Sequence, residues 1–317
     1  MGDAAPAITA VGGGTGLAVL LRGLKGRVPA ERLKAVVTVT DDGGSSGRLR
    51  RDFGVLPPGD IRNCIAALAD DEDLLTRLFQ YRFAGGEGLS GHSFGNLFLT
   101  ALAGITGDFY QAILTAESVL SVRGRILPAT LTDVRLAARG ASGRPYLGES
   151  AIGQAGEQLS ELELHPAAPA PFPGALEALA AADLIVLGPG SLYTSILPNL
   201  LIPGIRRAVC QSEARVVVVL NLMTQPGETD GMTGRDHLEA IERHAGKELV
   251  DAVLVNATPL PADRLALYEA TGSRPVELDP RTLADREVQV VATDLLADTG
   301  LLRHDPAKLA AAVLGLV

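Results

Sequence analysis

The chain has 317 residues, 47% of them hydrophobic but only 4% aromatic and none of them Trp, so a sizeable core must come from Ala, Val, Leu and Ile. That composition suits layered α/β proteins. A net charge of −9 and a pI near 5.1 exclude the broad basic face of a general nucleic-acid binder, yet leave small anions open to backbone amides and a few arginines.

The two cysteines, Cys64 and Cys210, lie far apart without metal spacing and read as thiols of a reducing cytosol. The opening residues "MGDAAPAITAVGGG" lack the pattern of a secretion signal. No apolar run approaches the roughly 18 residues needed to span a bilayer, so a soluble cytoplasmic protein with no membrane insertion is expected.

In chain order, the first unit is "AITAVGGGTGLAVLLRGL": a strand at 7–11, a glycine turn, and a helix at 17–24. Glycines let backbone approach a ligand, and the helix start offers free N–H groups, so Gly13, Gly14, Thr15 and Gly16 form a candidate phosphate cradle. It is neither a Walker A loop, since no Gly-Lys-Ser/Thr follows, nor a strict G-x-G-x-x-G. A second strand at 35–40 ends in "TVTDDGGSSGRLRR". Here Asp41 and Asp42 suit either ribose hydroxyls or a divalent ion such as Mg²⁺. An Asx turn would account for one Asp-Gly pair but not for Ser45, Ser46 and the clustered Arg48, Arg50 and Arg51.

"LPPGDIRNC" carries a helix start, with Asp60 as the expected N-cap and Arg62 and Asn63 in the first turn, within reach of a ligand. Helices are predicted at 61–69 and 74–81. The glycine-rich "AGGEGLSGHSFGN" then presents His92, Ser93 and Asn96 in a loop suited to closing over a ligand, ahead of helices at 96–105 and 109–119. Residues 125–165 read as a small β-rich excursion, followed by a helix at 175–182.

A strand at 184–187 repeats the first device: Gly188, Pro189, Gly190 and Ser191 turn into a helix, and their amides with the Ser191 and Thr194 hydroxyls make a second candidate cradle. A strand at 216–221 ends in Asn221, Thr224 and Glu228, before a helix at 234–244 whose His237 and His244 read as surface residues. A fifth strand at 252–256 ends in Asn256, and a last helix is predicted at 306–314. The alternation predicts one α/β domain over 1–317, a Rossmann-like, doubly wound and mostly parallel sheet, with a β-rich subregion at about 125–165. Two cradles in one such sheet suit a diphosphate at the point where strand order reverses.

Taken together, "GGGTG", "TDDGGSSGRLR", "PPGDIRNC", "GHSFGNL", "GPGSLYTSILPNLL" and "N-x-x-TQPGET-x-G" resemble the CofD/YvcK (UPF0052) family, in its gluconeogenesis-factor branch, from about residue 8 to 257. The resemblance implies a Rossmann-like fold and a ligand of the uridine-diphosphate-sugar class, notably UDP-N-acetylglucosamine. It also implies a role in cell shape and peptidoglycan synthesis during gluconeogenic growth, with cell-wall synthesis proteins as partners, and an activity of binding rather than catalysis.

The CofD branch implies the alternative, a phosphotransferase of coenzyme F420 synthesis in which Asp42 positions Mg²⁺. The serine- and arginine-rich "DDGGSSGRLR" stands in the region where those transferases use their Asp pair, which counts against that activity. A third reading, an NAD-dependent oxidoreductase, follows from the first unit and the acid after its second strand, but no Tyr-x-x-x-Lys pair accompanies it. A homo-oligomer is expected on general grounds.

Overall fold

The computed structural model describes residues 5–70, 73–246, 248–298 and 300–317; residues 1–4, the start of the stretch read as lacking a secretion signal, lie outside the described residues. The strands of the main sheet are β1 (Ile8–Gly12), β2 (Leu33–Val37), β3 (Arg125–Pro128), β7 (Leu184–Leu187), β8 (Arg215–Val219), β9 (Ala252–Asn256) and β10 (Gln289–Thr293). Their spatial order is β10-β9-β8-β7-β1-β2-β3, and every pairing is parallel. The chain therefore runs outward from β1 to β2 and β3, then returns to the other side of β1 to lay down β7 and its successors. The reversal falls between β1 and β7, the place where an open α/β sheet leaves a crevice at its carboxyl ends.

Burial on both faces explains the continuous apolar strands. Ile8 and Ala10 of β1, Leu184 and Val186 of β7, and Val217 and Val219 of β8 enter one core. Val11, Ile185, Leu187, Val216 and Val218 enter the other. The first core is covered by α1 (Gly14–Leu24), α3 (Gly59–Leu68) and α13 (Pro306–Leu314). The second is covered by α8 (Pro173–Ala180), α10 (Pro203–Gln211) and α11 (Gly234–Ala245).

A separate antiparallel sheet joins β4 (Arg135–Gly140), β5 (Pro145–Leu147) and β6 (Leu159–His165) in the order β5-β4-β6, with the short α7 (Glu149–Ile152) beside it. Arg125–Pro128, expected to open this small region, instead forms the edge strand β3 of the main sheet. The small sheet is tied to the main body through α2 (Gly44–Phe53): Arg50 is buried, pairs with Asp133 and donates to the Val134 carbonyl at 2.5 Å.

Further elements escaped the sequence patterns, α7 and α10 among them. Helix α2 occupies the serine- and arginine-rich stretch after the second strand, where the sequence patterns predict no helix; Leu49 fills its inner face, and Gly54 ends it in the left-handed conformation at φ 65°. Strand β10 lies at the sheet edge and is only half-buried, so it lacks the continuous apolar run of its neighbours. Helix α12 (Ala262–Glu269) has no buried residue in its span and so no strong apolar stripe. His237, expected on the surface, is buried with its Nδ1 2.8 Å from the Thr233 carbonyl oxygen, and His244 is half-buried. Among the described residues, no helix is long and apolar enough to cross a membrane.

Helix α13 crosses α1 at Gly23, where an added Cβ would overlap the Pro306 carbonyl. The obstacle is backbone, so it cannot turn aside as a side chain would. Gly23→Ala is expected to lower stability by about 1–3 kcal/mol through separation of these helices, read as a fall in the thermal or urea midpoint.

Candidate functional site

The first glycine turn sits at the carboxyl end of β1. Gly14 has φ +66°, a conformation glycine adopts without strain, and Gly13 precedes α1 without any side-chain cap. Apart from the Gly14 amide, which Asp60 engages, the first amides of α1 therefore have no capping side chain. Asn199 donates to the Gly12 carbonyl at 3.2 Å and to the Ser195 carbonyl at 2.8 Å, which ties this turn to the segment after β7. At Gly16 an added Cβ would run into the Pro189 carbonyl, so the two turns meet backbone to backbone.

The second turn is built differently from the cradle expected of it. Gly188 has φ +82°, Gly190 exchanges hydrogen bonds with the Asn221 side chain at 3.3 and 2.9 Å, and Ser191 Oγ accepts from Gln225 Nε2 at 2.7 Å. A wide turn at 192–196 follows, closed by the Ile196 amide on the Ser191 carbonyl at 3.0 Å. Its first free amides, those of Tyr193 and Thr194, donate to Glu228 Oε1 at 2.8 and 3.1 Å. An internal carboxylate already serves this helix start, and the second turn presents mainly Gly190, Ser191 and Asn221 to the space between the turns.

Both turns line one cavity of about 370 Å³. Its far wall comes from Tyr268, Leu302, Arg303 and His304, residues the sequence patterns did not single out. Leu222, Met223, Leu296 and Leu302 pack into a small core that holds this wall, and a bridge between Leu296 and His304 folds the segment back. His304 is buried with its Nε2 unpartnered, and burial holds its pKa down near 4, so it meets a ligand as neutral imidazole. Larger hollows of about 550 and 910 Å³ open around Ser212 and Glu213 at the amino ends of the strands, and neither is bounded by a strand-to-helix glycine turn.

The acidic side of the site lies beyond Gly13. Asp60 is not the N-cap of α3; Pro58 takes that place, and the Asp60 carboxyl, in the first helical turn, presses on Gly13. It is 8% exposed, and its Oδ2 has no hydrogen-bond partner. Burial and the Asp41 charge raise its pKa to about 7, against the Gly14 amide and Arg62, which hold it down. Glu149, delivered by α7, is also pushed well up, first by burial and then by Asp60, Asp41, Glu228 and Asp42. Only the folding of the small sheet onto the β2 end brings Glu149 here, and nothing in its local sequence marks it.

The remaining predicted residues form a hydrogen-bonded shell around α2. Asp41 accepts from the Gly43 amide at 2.8 Å, and Asp42 accepts from the Ser150 amide and hydroxyl, both at 2.9 Å. Ser45 Oγ lies 2.9 Å from His92 Nδ1, Asn96 donates to Ser46 Oγ at 3.4 Å, and Ser93 caps helix α5 (Phe94–Thr106). Arg48 donates to the Ser90 carbonyl and Arg62 to Asn63 Oδ1, each at 2.8 Å. Thr224 does not line the cavity; it accepts from the Arg274 amide at 2.9 Å.

For Mg²⁺, the donors fit an ion held by one or two carboxylates together with ligand phosphates, the usual manner of that ion. Asp60, with its orphaned oxygen beside the α1 turn, and Asp41 are the carboxylates placed for it. Among the described residues no group of three His, Cys, Asp or Glu side chains is arranged as a closed metal site.

The family profile described as "2-phospho-L-lactate transferase CofD" matches residues 8–296. The chain belongs to the CofD family. Within it, a putative gluconeogenesis factor from Nostoc sp. is 53% identical over 98% of this chain and 68% of that one. A gluconeogenesis factor from Bacillus subtilis is 45% identical over 98% of both chains. A crystal structure of a UPF0052-family protein from Bacillus halodurans superposes with a TM-score of 0.94 at 46% identity, covering 99% of this chain and 100% of that one. This CofD-family chain is thus similar over nearly its whole length to gluconeogenesis factors, and its cavity lies at the sheet's reversal point.

Asp60 offers a test of the site's electrostatics. Its folded pKa is raised, so the folded protein holds a proton that the unfolded chain releases between about pH 4 and pH 7. Stability then falls with rising pH across that window. Asp60→Asn removes the titration: the variant is expected to gain on wild type between pH 5 and pH 8 by about 2–3 kcal/mol, the part of the shift that falls in that window. Urea melts at the two pH values check it; a gap that does not change with pH refutes the assignment.

Proposed function

We propose that this chain binds a nucleotide-diphosphate sugar of the UDP-N-acetylglucosamine class and acts as a cytoplasmic regulator of peptidoglycan synthesis and cell shape during gluconeogenic growth. The observation that carries the binding half is the uncapped amino end of α1, fused backbone to backbone with the turn after β7 and opening into a single cavity. A diphosphate suits the amides of Thr15 and Gly16 at the start of α1, with the Gly14 amide engaged by Asp60. Arg303 in the cavity wall supplies a cation, and Asn221, Ser191 and Tyr268 supply polar and stacking partners for sugar or base. The choice of uridine and the link to the cell wall rest on the resemblance to the gluconeogenesis-factor branch.

Isothermal titration with UDP-N-acetylglucosamine tests the reading. Saturable heat is expected, and no heat up to millimolar ligand would sink it. In the same experiment Gly16→Ala, which forces the two turns apart, is expected to weaken binding by roughly tenfold or more.

A second reading, phosphoryl transfer of the 2-phospho-L-lactate transferase type, is favoured by the family profile and by the carboxylates gathered beside the α1 turn. Mass spectrometry of a reaction with the guanylyl donor, deazaflavin and Mg²⁺ separates the two: product formed by wild type would support transfer, and its absence would leave binding alone.

A further inference from the structure

The wide turn after β7 is held by a residue from a different strand crossover. Ser191 begins the turn but gives it no side-chain cap, because its hydroxyl is engaged by Gln225. Glu228, 34 residues beyond Thr194, does that work instead, taking the Tyr193 and Thr194 amides on one oxygen with the Thr194 hydroxyl at 3.4 Å. Such bonds to an ionised acceptor are roughly twice as strong as neutral ones. The same short turn sends Ser191 and Ser195 into the cavity wall, with Ser195 Oγ close to Gly14. Glu228 itself does not reach the cavity; it is 5% exposed and lies behind the turn, beside Tyr193 and α11.

The geometry points to Glu228 as a positioning residue for the ligand: it pins Tyr193 and Thr194, and so fixes Ser191 and Ser195, as a carboxylate and not as a carboxylic acid. The inference rests on the nucleotide-sugar reading above. The charged and titratable groups around Glu228 are Tyr193 on the turn, Asp236, Glu239, Arg243 and His244 on α11, and Glu149 on α7. Burial lifts Glu228 to about 7, while the bonds from Tyr193 and Thr194 act to lower it. The ordered turn favours the ionised form, so a ligand that needs the turn binds less well as pH falls through about 7. Asp60 and Glu149 act in the opposite sense, because their charges repel a diphosphate and protonation removes them. A loss of affinity on acidification, measured without added divalent ions, is therefore assigned to Glu228 by its disappearance in Glu228→Gln.

The test combines titration of UDP-N-acetylglucosamine near pH 6 and pH 8 with hydrogen exchange of the ligand-free protein over 190–199, on wild type and on Glu228→Gln, each checked for a cooperative melt. Wild type is expected to bind several-fold more weakly near pH 6. Glu228→Gln is expected to bind roughly tenfold more weakly near pH 8, to lose the decline on acidification, and to exchange the 193 and 194 amides at least tenfold faster. A folded Glu228→Gln protein with wild-type exchange, or with faster exchange but wild-type affinity, overturns the inference.

If wild type binds no ligand at either pH, the nucleotide-sugar reading fails by itself, and exchange alone judges Glu228, unchanged protection refuting its role. Should the variant not fold, wild-type exchange corrected for intrinsic rates decides. Weaker protection of 193 and 194 near pH 6 than near pH 8 is expected, and equal protection overturns the inference.

Discussion

The site depends on one close approach: the start of α1 and the turn after β7 touch through backbone, at Gly16 and the Pro189 carbonyl, with no side chain between them. Two adjacent parallel strands deliver their crossovers to opposite faces of the sheet, and only here do successive turns converge. The contact requires glycine at Gly16 and a left-handed residue at Gly14, and the Asn199 amide bridges the Gly12 and Ser195 carbonyls across it. That junction places the glycine-turn side of the cavity, while the small core around Leu302 holds the far wall.

Around it, charge is arranged by depth. The amino end of α1 attracts anions, yet a buried carboxyl group, Asp60, lies directly behind it with an unpartnered oxygen. Burial and mutual repulsion push both Asp60 and Glu149 upward, so crowded, dehydrated charge is concentrated at this end of the sheet. Arg50, one of the arginines clustered with the acids in sequence, is withdrawn from this field to fasten the small sheet. Mixed charge along the chain thus separates in space into a ligand face and a structural tie.

How much of this was readable in one dimension follows from the physics of each part. The strands at 184–187 and 252–256 coincide with β7 and β9, because burial on both faces leaves a continuous apolar run. The edge strand β10 and helix α12 carry no such run, since neither is deeply covered. Both glycine turns were legible, as their conformations tolerate little else. The partners that complete or modify them were not. Glu228 was legible only as one member of a polar cluster after a strand, although its carboxylate occupies the second helix start; Glu149, Tyr268, Arg303 and His304 arrive by topology alone, without any local pattern.

The cavity's two walls also lie at opposite ends of the chain, Gly13–Gly16 on one side and Leu302–His304 on the other. A ribosome releases the glycine turns early and most of the parallel sheet soon after, but the far wall only once residue 304 has emerged. Nascent protein must therefore pass through synthesis with the crevice open on one side. Ligand, if it stabilises the native state by mass action, acts only on chains whose far wall has already emerged and folded.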